Sequence, residues 1–406
     1  MPGPASVRDE FRTGWPLLLA STVGVGVGVA SLPFYTAGLF IGPLRAEFGW
    51  TRGAVSSGGL ALSLGIGLGA PLVGRLLDRF GARRVVVPAL VLQALAYVVL
   101  SFTGGSVVAF AATIFVMGVL GAGASPLAFT KVVNAHFDRA RGLALGICLM
   151  GTGLAAAIAP PLLARVIADL GWRAGYQVLA VVVIVAIPFV FLLKTPRTPA
   201  GEAVEGPQPR GGFLTDARFW VLLAASILAA SSSAGIVVHF ISILTEKGAT
   251  EVAAASRASL IGVAVLAARL LVGAALDRAP PPAIGGILML LAACGALVLR
   301  YGTLDASVFA ALALGVAVGA EIDLISFLSA RYFGLGAYGR AYGLIYGVTL
   351  LAAGVGPLGF GLLADRAGAY AAALSLGAGL LAASGVLLLS LLWAAPKGLP
   401  DGRRNG

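Results

Sequence analysis

Charge and metal-binding side chains are what this chain has least of. Asp, Glu, Lys and Arg make up 11% of its 406 residues, and there are 2 histidines and 2 cysteines. A soluble domain carries roughly 25% charged residues, so water is the wrong solvent for this sequence. Cys148 and Cys294 fall in separate apolar stretches, where they imply neither a disulfide framework nor a metal site. No metal-ligand cluster, nucleophile triad or ATP-binding loop occurs. The glycine-rich "TVGVGVGVA" near the start lacks the preceding strand and soluble face that a dinucleotide fingerprint requires. No cofactor, no metal and no enzymatic activity are expected.

What is present is apolar surface. The chain is 59% hydrophobic with a mean hydropathy of +0.98. A bilayer accepts that surface if every backbone polar group is paired within helices or a closed barrel. Long uninterrupted runs select helices, because a membrane barrel reads as alternating segments of about ten residues. A window of about 20 residues predicts twelve spans: Trp15 to Pro43, Ala54 to Leu77, Val85 to Phe102, Val107 to Val133, Leu143 to Ala168, Tyr176 to Leu193, Phe219 to Leu244, Ala253 to Leu276, Ile284 to Leu299, Ala306 to Leu328, Ala341 to Ala364 and Tyr370 to Ala394.

The net charge of +11 lies in short breaks between these runs, with no stripe of interleaved aromatics that would read as a nucleic-acid surface. With the N-terminus inside, Arg8, Arg12, Arg79, Arg83, Arg84, Arg139, Arg141, Lys194, Arg197, Arg210, Arg218, Arg278, Arg331, Arg340, Lys397, Arg403 and Arg404 share one side. The other side has Arg45, Arg52, Arg173, Lys247, Arg300 and Arg366. That asymmetry predicts cytoplasmic termini. The long opening run exceeds a signal-peptide core and is read as a retained first helix.

The break from Lys194 to Arg218 is rich in Pro and Gly and divides the chain. The expected organisation is a cytoplasmic tail (1–14), a six-helix bundle (15–193), a cytoplasmic loop (194–217), a second six-helix bundle (218–395) and a tail (396–406). The halves repeat. Gly74, Asp78 and Arg79 recur 199 positions later as Gly273, Asp277 and Arg278, and Arg141 recurs as Arg340. "ADLGWRAGY" after the fifth span is echoed by "ADRAGAY" after the eleventh.

Twelve spans in two repeated halves, a long central loop and the G-x-x-x-D-R-x-G-x-R-R segment "GRLLDRFGARR" resemble the major facilitator superfamily of transporters. "HFDRARGLALGI", residues 136–147, resembles the junction of helices four and five in its anion porters. The resemblance implies an all-α integral membrane fold of two pseudo-symmetric bundles that rock about a central site. It also implies that Gly74, Asp78, Arg79, Gly81, Arg83 and Arg84 form a cytoplasmic latch. An Asp at the end of helix two gains by lying against another helix's positive N-terminus. In this superfamily that is helix eleven, near Tyr338 to Ala341. Gly273, Asp277 and Arg278 would form a weaker second latch, since "DRAPPP" lacks the paired arginines. Enforcement of the positive-inside rule explains the arginines but leaves Asp78 and Gly74 unexplained.

Charges inside the membrane are functional suspects. Arg269 stands eight residues before Asp277, about 12 Å up its helix. Its planar fork matches a carboxylate. Arg269-x-x-x-Gly273 resembles helix eight of monocarboxylate porters and oxalate/formate antiporters, where the corresponding arginine binds substrate carboxylate. Val265 stands where the animal monocarboxylate porters have an acid, and "LIYGVTLLAAG" in helix eleven lacks the oxalate carriers' lysine. One intramembrane cation suits one carboxylate. A structural arginine bridging helices is the other reading of Arg269.

Helix ten, "VGAEIDLISFLSARYFG", supplies acids. Glu321 and Asp323 are about 200° apart around a helix, so both should not face one cavity. Asp323 matches the depth of Arg269 and is assigned as its partner and proton carrier; Glu321 is the second proton-coupling candidate, with packing against another helix as its other reading. Proton and anion would then favour each other's binding. A static ion pair that specifies packing is the alternative. Tyr35 and Tyr346 are further candidate substrate ligands, as is His239, although it lies toward the periplasmic end. Lys131 reads as a snorkelling side chain.

These readings converge on a monomeric secondary transporter of a small organic anion, driven by protons, in a bacterial cytoplasmic membrane. A drug or neutral-solute exporter is the alternative, with Arg269 in a gating network. A membrane sensor is disfavoured because the latch motif is intact and no signalling domain is attached.

Overall fold

The computed structural model describes residues 7–137, 140–193, 213–276 and 279–393. No strand occurs among them. Ten helices in these residues are long and apolar enough to cross a membrane. One of them, Gly142–Val190, is a helical pair, and the first crossing is made of shorter pieces, which accounts for the twelve expected spans.

In chain order, α1 comprises Val7–Val27, Leu32–Thr36 and Gly38–Phe48; α2 is Arg52–Phe80; α3 is Ala82–Ser101; α4 comprises Val107–Gly121 and Pro126–His136. Next come α5 (141–170) and α6 (172–190), then α7 (Ala217–Glu246), α8 (Glu251–Leu276) and α9 (Pro281–Tyr301). The last three are α10 (307–333), α11 (335–367) and α12 (Ala371–Ser390). The first helix is already formed at Val7, inside the segment expected to be a tail, and the run expected to be continuous to Pro43 is broken near Gly28 to Ser31. The chain there passes the second break, at Ala122–Ala124 in α4, so closely that a side chain on Gly28 would lie 2.1 Å from the Ala124 carbonyl oxygen.

Local chemistry sets the helix ends. Thr51 caps α2 by accepting from the Ala54 N–H at 3.1 Å, Ser106 caps α4 through Ala109, and Asp216 caps α7 through Arg218 at 2.9 Å. Three successive helix pairs are joined by one glycine each: Gly81 between α2 and α3, Gly171 between α5 and α6, and Gly334 between α10 and α11. Their φ/ψ values are 79/161°, 82/166° and 70/166°, a region essentially closed to residues with a Cβ. The conformation explains why the 74–84 motif needs a glycine at 81.

The two halves meet along α2 with α11 and α5 with α8. Gly262 of α8 lies so close to α5 that a Cβ there would sit 2.1 Å from the Ala157 nitrogen. At one end of the molecule these pairs are shut: Gly53 lies against Leu362, and Ser63 lies beside Gly354. Toward the other end they part, with open space beside Gly74 and Gly343 and beside Gly142 and Gly146. Lipid-facing apolar side chains such as Val181, Ile184 and Val185 cover the outside of α6.

Candidate functional site

The space left by this splaying is a cavity of about 250 Å³ between the halves. Arg269, Glu321, Tyr35 and Tyr346 all line it. Arg269 is 5% exposed and faces Asp323, with Nη1 3.4 Å and 3.5 Å from the two carboxylate oxygens. Its Nη2 is 3.5 Å from the Thr152 hydroxyl on α5, in the opposite half, and its Nε has no partner. A well-formed guanidinium–carboxylate pair closes to about 2.7–2.9 Å, often through two parallel bonds. This pair is loose, and the fork is under-bonded in a buried setting where unmet donors are costly.

Five of the eight buried side-chain polar atoms without a partner among the described residues belong to cavity-lining residues: Ser31, Tyr97, Ser233, Arg269 and Glu321. Glu321 was expected to face away. Instead it lines the cavity as well as a pocket of about 20 Å³ inside the second half, while Asp323 meets Arg269 from the side. The 200° separation holds, but a long arginine side chain reaches its acid without that acid forming the wall.

His239, the remaining candidate ligand, is not among the residues that line the cavity. It is fully buried between the halves at the shut end. The Pro357 carbonyl, 2.9 Å from Nε2, can only accept, which puts the proton on Nε2; Ser56 Oγ shares that nitrogen at 3.1 Å. Nδ1 then accepts from the Tyr370 hydroxyl at 2.8 Å. All its polar capacity is used in holding α2, α7, α11 and α12 together.

The shut end contains a feature the sequence reading registered only as an echo. Residues 361–368, "GLLADRAG", repeat G-x-x-x-D-R-x-G of residues 74–81 at the far end of α11. Asp365 accepts from the backbone N–H groups of Arg52 (3.0 Å) and Gly53 (2.8 Å), capping α2 from the other half. Arg52 approaches Asp365 at 3.8 Å and Glu246 at 3.5 Å, and lies over the Tyr370 ring. Gly361 stands against the Arg52–Gly53 backbone, where a Cβ would come within 2.8 Å.

The copy at the open end is undocked. Asp78 is 72% exposed and paired with Lys131 of α4, in its own half, which gives Lys131 a partner, and among the described residues no ion pair or hydrogen bond joins Asp78 to the start of α11. Arg79 lies over Phe80 and Arg83 over Phe191. Arg84 is exposed, Gly273 lies in α8, and Asp277 and Arg278 lie outside the described residues.

The model of the Major Facilitator Superfamily matches residues 23–357. A 38 kDa protein from the 23S RNA operon of Thermoproteus tenax is 31% identical over 331 residues, 81% of this chain and 82% of that protein. Human monocarboxylate transporter 11 is 24% identical over 422 residues, 98% of this chain and 86% of the relative. The crystal structure of peptide transporter POT in complex with sulfate superposes with a TM-score of 0.72 at 15% identity, covering 94% of each chain. An all-helical membrane fold whose two halves part around a central cavity is thus matched along most of its length, and the chain belongs to the Major Facilitator Superfamily of transporters.

Proposed function

We propose that this protein carries a small monocarboxylate together with a proton across a bacterial cytoplasmic membrane, by alternating access, as a monomer with both termini in the cytoplasm. The observation that carries the reading is the loose pairing of Arg269: a buried fork with a free Nε, 3.4 Å from its acid, on the wall of the central cavity. A substrate carboxylate supplies the bonds the fork lacks. Monocarboxylate transporter 11, among the relatives, carries that substrate class in its name.

Asp323 couples the proton. While ionised it competes with the substrate for Arg269; protonation removes that competition, so proton and anion each favour the other's binding. With the basic termini side cytoplasmic, the shut end is periplasmic and this conformation faces inward. The cycle then exchanges one helix cap for another. Closing the cytoplasmic side docks Asp78 on the start of α11, and opening the periplasmic side releases Asp365 from α2.

The apolar extent of the cavity wall favours a second reading, an exporter of drugs or neutral solutes in which Arg269 and Asp323 form a gating pair. Uptake of labelled acetate, lactate, pyruvate, phenylacetate and oxalate into proteoliposomes, with and without an inward proton gradient, separates the two. Gradient-driven uptake of a monocarboxylate that is lost in Arg269→Gln supports the proposal. Failure of folded wild-type protein to take up any anion refutes it and leaves the exporter.

A further inference from the structure

We propose that the substrate bears an ammonium group as well as its carboxylate, and is bound as a small amino-acid zwitterion between Arg269 and Glu321. The inference rests on the reading of Arg269 as the carboxylate site and adds what the second charge in the cavity requires. Arg269 on α8 and Glu321 on α10 are the charged side chains among the residues that line the cavity. Packing of the two helices sets them level. Gly315 lies against Ile261 and Ala264, and Gly319 against Val265 and Ala268, so α8 and α10 run side by side in the same direction. Continued by less than a turn beyond Gly319, that register brings Glu321 to the height of Arg269. The ion pair agrees: Asp323, which Arg269 reaches, stands two residues from Glu321, a rise of about 3 Å.

Each group lacks what a zwitterion supplies. Arg269 Nε and Glu321 Oε1 are both buried without a hydrogen-bond partner among the described residues. With Asp323 protonated, as the coupling requires, the cavity wall keeps one positive and one negative side chain. A plain carboxylate neutralises Arg269 and leaves Glu321 as an uncompensated anion at the same depth, where an unpaired charge is costly. An ammonium on the same molecule offsets that charge and donates to the bare Oε1. A second carboxylate would meet Glu321 with repulsion, and an amine without a carboxylate would leave the fork of Arg269 unfilled. Within one turn of the two charges the wall is hydrocarbon, from Val265, Val318 and Ile322, so the rest of the substrate is small and apolar.

The test is ligand-induced thermal stabilisation of the purified full-length protein. Alanine, leucine and 4-aminobutyrate are compared with propionate, 4-methylpentanoate and butyrate, the same carbon skeletons without the ammonium. At least one amino acid is expected to act at a concentration about tenfold or more below its ammonium-free counterpart, and Arg269→Gln is expected to abolish the effect. Glu321→Gln, which keeps the shape and removes the charge, should move the two sets in opposite directions: the amino acids weaken about tenfold or more, and the plain acids tighten because the repelling anion is gone. A Glu321 that only supports packing would move both sets together or neither, and that result overturns the inference. Should the variant fail to fold, the wild-type comparison decides alone: plain acids that bind as tightly as every amino acid, and need Arg269, end the zwitterion while the carboxylate reading stands. If neither set binds folded wild-type protein, or if both bind Arg269→Gln unchanged, the carboxylate reading falls and takes this inference with it.

Discussion

Asp365→Asn isolates the carboxylate that holds the shut end. Asp365 accepts two backbone N–H bonds at 3.0 and 2.8 Å from the first turn of a helix in the other half, in a setting where its side chain is 18% and that of Arg52 15% exposed. Asparagine retains one acceptor oxygen, turns a donor toward the second N–H and removes the charge facing the helix N-terminus. The charge at a partly buried helix end contributes up to about 2 kcal/mol, and loss of a charge-assisted bond about 1.5 kcal/mol or more. Because the amide recovers part of each, the expected net cost is about 1–2 kcal/mol. These bonds cross between the halves, so the cost falls on the shut conformation rather than on folding, and the population should move by about 5- to 30-fold. Spin labels at Gly104 and Thr303, both at the shut end and on opposite halves, with Cys148 and Cys294 replaced by serine, would report it as a longer-distance population by pulsed EPR. A distance distribution within twofold of the parent would refute the reasoning, as would loss of thermal stability with no change in distances.

Other substitutions address the cavity, the interface and a helix cap. Asp323→Asn should bind substrate anion with little dependence on pH, measured by ligand titration at pH 5.5 and 7.5, and should lose gradient-driven accumulation. Arg269→Lys, which keeps the charge but loses the planar fork, should weaken carboxylate binding at least tenfold in the same titration. Gly262→Val, with a side chain directed into the α5 backbone, should prise α5 from α8 and lower the melting temperature by several degrees. Asp216 is held below the ordinary carboxylate range, chiefly by its side-chain bonds to Arg218. A lowered native value stabilises above the unfolded pKa and is lost as pH falls through the native one. Asp216→Ala should therefore cost about 1 kcal/mol at neutral pH and progressively less as pH falls below about 3.8, as followed by thermal unfolding across that range.

The helices were legible because lipid demands one continuous apolar stretch per crossing, a property of adjacent residues. The pairing of Arg269 with Asp323 was legible from depth alone, each standing eight residues from a charged helix end. The break in α1 was less so: Gly28 and Pro33 interrupt an apolar run without adding charge, and hydropathy passes over them. Glu321 was misplaced because helical angle fixes directions around an axis but not where the cavity wall lies. His239 and Asp365 depend on what stands opposite in the other half, which no local pattern encodes. For Asp365 the signal existed, since residues 361–368 match residues 74–81 at every motif position, but the repeat lies outside the 199-residue register that relates the two halves.

A corner made of one residue has no slack. Gly171 ties α5 to α6 so tightly that α5 cannot shift along or away from α8 without carrying its neighbour with it. The outer face of α6 is solvated by hydrocarbon, through Val181, Ile184 and Val185. Displacement at the buried interface is therefore delivered to the lipid, and lipid resists it, since a helix moved relative to the hydrocarbon slab incurs mismatch at a fraction of a kcal/mol per Å. Bilayer thickness thereby enters the energetics of opening and closing, and one protein in two membranes should rest at two different conformational equilibria.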